Sequence, residues 1–152
     1  MTYARDISYA HSARTRGGRA LIRLMENTTG RVFLLKRAEG YEDDLAAGLG
    51  FFDAMVQRCG LTLDVMRGAL SDIPTRGPVI LIANHPYGIL DGLILGHILS
   101  QTRGDFRIMA NAVFSQAPDL AHHLLPISFA EDRAALALNL ATRRTALNYL
   151  AQ

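Results

Sequence analysis

Apolar positions along this chain recur in several patterns, and each predicts a different element. Around 18–27, Leu21, Ile22, Leu24 and Met25 are spaced among arginines, which predicts a short basic amphipathic helix. A Gly- and acid-rich stretch follows over 40–53, and 45–66 reads as helix through Leu49, Phe52, Val56 and Leu63. From Pro74 the pattern changes. Pro74-Thr75-Arg76-Gly77-Pro78 is punctuation, and 79–83 is a short β-rich apolar run that predicts a fully buried strand. Asp91-Gly92 opens 93–101, which has the length of a crossover helix, and 106–110 is a second apolar run, so the natural parse is a βαβ unit. A third strand is expected over 124–129. The longest helical pattern covers 131–151, with Leu136, Leu140, Leu147 and Leu150 at helix-compatible spacing. Its early Glu131-Asp132 and later Arg143-Arg144 suit the helix dipole.

These elements predict an α/β fold: a helical N-terminal region followed by a small, largely parallel sheet flanked by helices. One structural domain is expected, in two parts: a basic, helical region over 1–72 and an α/β region over 73–152. The 152 residues suffice for one domain with a real core. An apolar content of 49% with a net charge of +2 excludes a disordered chain. The single cysteine, Cys59, excludes a disulfide scaffold and favours a reducing compartment. No Cys/His spacing resembles a zinc site, so no metal is expected. No apolar run approaches the roughly 18 residues of a spanning helix, and no secretory signal is evident. A cytoplasmic location is the expectation.

The small net charge hides an asymmetry, since residues 1–37 carry +6 and residues 38–152 carry −4. Arg14, Arg16, Arg19 and Arg23, interleaved with the leucines, are candidates for contact with an anionic membrane surface. An ordinary solvated helix face is the other reading, and both stay open. Tyr3 and Tyr9 lie nearby, but no nucleic-acid-binding module accompanies the charge, so no nucleic acid partner is expected.

The densest chemistry lies in Asn84-His85-Pro86-Tyr87-Gly88-Ile89-Leu90-Asp91-Gly92, where the expected strand runs out before a helix. A histidine can take a proton from a hydroxyl near neutral pH, and a carboxylate beside it fixes its tautomer. Pro86 and Gly88 can fold the loop so that His85 and Asp91 meet. Alternatively, Asp91 caps the following helix and His85 is an ordinary loop residue. His97, inside an apolar helix, reads as packed or partly exposed rather than ligating. His122 and His123, being adjacent, should diverge in a strand or helix and make poor joint ligands. Cys59 reads as a small buried residue, and Ser115 sits in no nucleophile elbow.

The 84–92 segment resembles the Asn-His-Pro-Phe-Gly-x-x-Asp-Gly signature of bacterial lysophospholipid (glycerolipid) acyltransferase-like proteins of the hemolysin-type subgroup. Further resemblance runs through Arg23 to Arg31, Ile73-Pro74, Gly77-Pro78, Arg103-Gly104-Asp105-Phe106, Ala110-Asn111 and Asn139 to Leu150, covering roughly residues 15–152. It implies acyl transfer from an acyl-CoA or acyl-carrier-protein thioester to a lysophospholipid or related lipid hydroxyl. His85 would be the general base and Asp91 its orienting partner, with no bound cofactor and no metal. Asn84, Tyr87, Gly88, Arg103 and Arg107 become candidate substrate-binding residues, the arginines for a phosphate of the acceptor or of CoA. The implied location is peripheral, at the inner face of the cytoplasmic membrane. Two departures stand out. The spacing here is His-x5-Asp where the wider family has His-x4-Asp, and no Phe-Pro-Glu-Gly-type block is found. The expectation is therefore either an acyltransferase or a truncated, catalytically incomplete domain acting as a membrane-associated binding module.

Overall fold

The computed structural model describes residues 8, 10, 13, 15–28 and 30–152. Arg14, Tyr3 and Tyr9 lie outside the described residues. Among the described residues four helices come first: α1 (Arg16–Thr28), α2 (Arg31–Ala38), α3 (Tyr41–Ala46) and α4 (Phe51–Cys59). An irregular stretch leads to α5 (Ile89–Thr102), β1 (Ile108–Asn111), α6 (Pro118–Ala121), β2 (Leu124–Ile127) and α7 (Arg133–Leu150). The class is mixed α/β. Among the described residues the sheet has two strands, β1 and β2, paired in parallel with Ile108 opposite Leu124 and Asn111 opposite Ile127. No described helix is long and apolar enough to cross a membrane.

The core forms where α4 crosses α5. Phe52, Met55 and Val56 from α4 meet Leu93 and Leu99 from α5 and Phe106 just before β1. The Phe52 ring lies so close over Gly96 that a Cβ there would overlap it, and this glycine sets the interhelix distance. Beside that contact Asp53 bonds His97, so neighbouring residues on each helix supply one apolar and one polar fastening.

Helix α7 packs on β2 through side chains that act as backbone partners. Asn139 accepts from Ser128 N and donates to Ser128 O, both at 2.8 Å, and Thr142 donates its hydroxyl to Pro126 O at 2.6 Å. Asp132 caps the helix by accepting from Ala135 N at 2.7 Å. The leucines at helix-compatible spacing lie largely away from the buried face of this helix. Ala135 and Thr142 are buried, whereas Leu136, Leu140 and Leu147 are exposed.

Two further expectations are corrected. The helix expected over 45–66 is confined to Phe51–Cys59, because Gly48 (φ 95°) and Gly60 (φ 66°) adopt left-handed conformations that end a right-handed helix. The buried strand expected over 79–83 has no ladder partner, and Ile80 and Ile82 are exposed. The βαβ unit is therefore not formed. The parallel partner of β1 is β2, reached through a 3₁₀ turn (Ala112–Gln116) and the short α6.

Candidate functional site

The loop before α5 is shaped by Gly88, whose φ of 62° is open to glycine at no steric cost. It turns the chain so that α5 begins at Ile89 with Asp91 in its first turn. There the carboxylate accepts from Tyr87 N at 2.7 Å through Oδ2, occupying a donor next to the helix start. The same Oδ2 lies 3.4 Å from His85 Nδ1. One oxygen thus serves both contacts, and since Tyr87 precedes the N-cap Gly88, Asp91 ties the loop rather than capping the first turn of α5. The carboxylate is mostly shielded, at 22% exposed, whereas the His85 ring is 66% exposed. Nδ1 is the ring nitrogen beside the carboxylate, which leaves Nε2 to meet a group arriving from solvent. The chemistry open to such a pair is proton abstraction from a group arriving from solvent.

Asn84 and the Tyr87 side chain are exposed beside this pair, and the contribution of Tyr87 to it is its backbone N–H. The arginines expected to meet a phosphate are engaged elsewhere. Arg103 forks onto the carbonyls of Pro74 and Gly77, the second at 2.7 Å, and so clamps the 74–77 loop against the end of α5. Arg107 pairs with Asp105 at 3.1 Å and stacks 4.8 Å over the Tyr149 ring. Arg103 also lines a polar cleft of about 260 Å³ with Thr75, Arg76, Asp105 and Tyr149, and neither His85 nor Asp91 is part of that cleft. Of the candidate membrane contacts, Arg16, Arg19 and Arg23 are exposed on α1.

A second His–Asp pair was not legible as such from the sequence. His97 Nδ1 lies 2.6 Å from Asp53 Oδ1, and Gln101 Nε2 donates to the same oxygen at 3.2 Å. His97 is half-buried, and its partner lies 44 positions away. The signal available was that Asp53 and His97 each interrupt an apolar run. His122 and His123 do not diverge, since their ring centroids lie 4.0 Å apart. They occupy the turn between α6 and β2, where neither strand nor helix geometry separates them. No cluster of metal-ligating side chains occurs among the described residues. Burial pushes the Cys59 thiol up, with Arg37 acting weakly against it, so the thiolate is disfavoured.

Comparisons of the chain with family models, with curated proteins and with solved structures find no match.

Proposed function

We propose that this protein is an O-acyltransferase that moves a fatty acyl group from an acyl-CoA or acyl-carrier-protein thioester to a lysophospholipid or related lipid hydroxyl. The observation that carries the reading is the His85–Asp91 pair in the loop before α5. The resemblance of residues 84–92 to the acyltransferase signature supports it further. His85 Nε2 takes the proton of the acceptor hydroxyl as its oxygen attacks the thioester carbonyl carbon. The tetrahedral adduct collapses with cleavage of the C–S bond, and the imidazolium returns the proton to the departing thiolate. Asp91 holds Nδ1–H and stabilises the imidazolium while it exists. The lipid acceptor accords with a location peripheral to the inner face of the cytoplasmic membrane.

The test is acylation of a panel of lysophospholipids from labelled acyl-CoA and acyl-carrier protein. His85→Ala should lower turnover by about 10²- to 10⁴-fold with the fold retained, because the exposed ring contributes a proton acceptor and little packing. Asp91→Asn should keep the bond to Tyr87 N and lose the charge, giving a smaller fall. Near-normal rates in both variants would remove the mechanism. One observation favours a second reading, a catalytically incomplete, membrane-associated binding module. Arg103 and Arg107 are bound within the chain, and no basic side chain other than His85 pairs with Asp91 among the described residues. Acceptor-dependent turnover by the unaltered chain decides against it.

A further inference from the structure

Helix α1 divides cleanly by face. At 100° per residue, Leu21, Ile22, Leu24 and Met25 fall within an arc of about 160°, while Arg16, Arg19, Arg23, Glu26 and Asn27 fill the opposite side. Ser8 and Ala13 meet the polar flank. Ser8 donates its hydroxyl to Glu26 at 2.8 Å, Arg19 Nε donates to Ala13 O at 3.1 Å, and Ser8 and Ala10 are buried there. On the apolar side Ile22 is half-buried, while Leu21 is 58% and Leu24 61% exposed. The next helix continues the theme, since α2 turns Leu34, Leu35 and Ala38 inward and exposes Val32, Phe33, Lys36 and Arg37. The Arg37 guanidinium rests 5.0 Å over the Phe33 ring.

We infer that α1 is an in-plane membrane helix, whose Leu21 and Leu24 enter the headgroup–acyl boundary of an anionic bilayer while Arg16, Arg19 and Arg23 rise among the phosphates. The first 37 residues carry +6, which suits an anionic surface and opposes pairing with a second copy of the same basic segment. Apolar insertion is also what distinguishes this contact from a purely electrostatic one. Charge attraction is screened within about 3 Å in 1 M salt, whereas buried leucine area is not weakened by salt. The inference deepens the membrane placement proposed above and rests on it, but not on acyl transfer, so flotation can fail while turnover stands, and the reverse.

The experiment is flotation of the full chain with phosphatidylcholine vesicles containing phosphatidylglycerol, in low salt and in 1 M NaCl. The unaltered chain should float in both. Leu21→Glu/Leu24→Glu should lower the partition coefficient about tenfold or more in both, and Arg16→Gln/Arg19→Gln/Arg23→Gln should lower it in low salt alone. The chain has no tryptophan, so Leu24→Trp supplies the sole indole, whose emission should shift to the blue and be quenched by bromolipid. The inference is overturned if the unaltered chain is released fully by 1 M NaCl, if the glutamate variant floats normally, or if the indole is not quenched. It is equally overturned if the glutamate changes dissociate a dimer and leave flotation intact, since the face then belongs to a second copy.

Discussion

Position 96 bears one of the tightest constraints in the core. Gly96 sits in the middle of α5 under the buried Phe52 ring, where a methyl group would collide. Alanine gains about 1 kcal/mol of helix propensity over glycine, but overpacking a core crossing costs about 1–3 kcal/mol. Gly96→Ala is therefore expected to lower unfolding free energy, and adding Phe52→Leu should return part of the loss. Equilibrium urea unfolding of both variants measures this. A Gly96→Ala variant as stable as the parent would mean that α4 moves freely against α5. The same crossing explains what could be read residue by residue beforehand. His85 and Asp91 lie six positions apart across a Pro/Gly loop, so local geometry alone made their meeting a fair expectation. Asp53 and His97 meet only because Phe52 and Gly96 bring their helices together, and no spacing rule carries that over 44 residues.

Among the elements, the short helices depend on long-range bonds. Tyr41, first residue of α3, donates its hydroxyl to Asp119 of α6 at 2.5 Å, tying together parts of the chain 78 residues apart. Burial and then the Asp119 carboxylate push the Tyr41 hydroxyl far up, so it stays a donor across the working range of pH. Helices of six and four residues have little stability of their own. Tyr41→Phe should cost about 1.5–3 kcal/mol, the usual worth of a hydrogen bond to a charged group, and hydrogen exchange should quicken first in α3 and α6. Uniform exchange in the variant would show that the bond is dispensable. Long elements were legible from the sequence for the converse reason. α5 is read from its apolar length after Asp91-Gly92 and α7 from leucines at helical spacing, and their spans of 14 and 18 residues differ from expectation only at the ends. The 79–83 run offers composition without periodicity. Whether such a run becomes a strand depends on which neighbour accepts it, and here β1 pairs with β2. The leucines of α7 mark the helix correctly, but their spacing carries nothing about the side on which the sheet lies.

On the scale of the whole molecule, the helical half and the sheet meet at a ring stack. His123, at the approach to β2, lies 4.4 Å from the Phe106 ring in a stacked arrangement and 5.5 Å from Phe52. Its backbone carbonyl accepts from Ile108 N at 2.6 Å, so the residue belongs both to the core and to the start of the sheet. Burial lowers its pKa from the ordinary value of 6.5, against a weaker opposing effect from the Phe106 carbonyl. The sign of the pH dependence follows. The unfolded chain binds a proton at His123 near pH 6.5, and the folded chain binds it only at lower pH. The contribution to stability is thus fully present above about pH 6.5 and is lost as pH falls through the lower, folded-state value. His123→Phe keeps a ring against Phe106 and Phe52 and removes the titration. Calorimetric melting between about pH 7.5 and 5.5 should show the parent falling more steeply than the variant, and the four histidines common to both should largely cancel in the difference. Parallel pH profiles would mean that the His123 ring leaves the stack on protonation at no cost, and that the sheet is held to the helices by β2 and α7 alone.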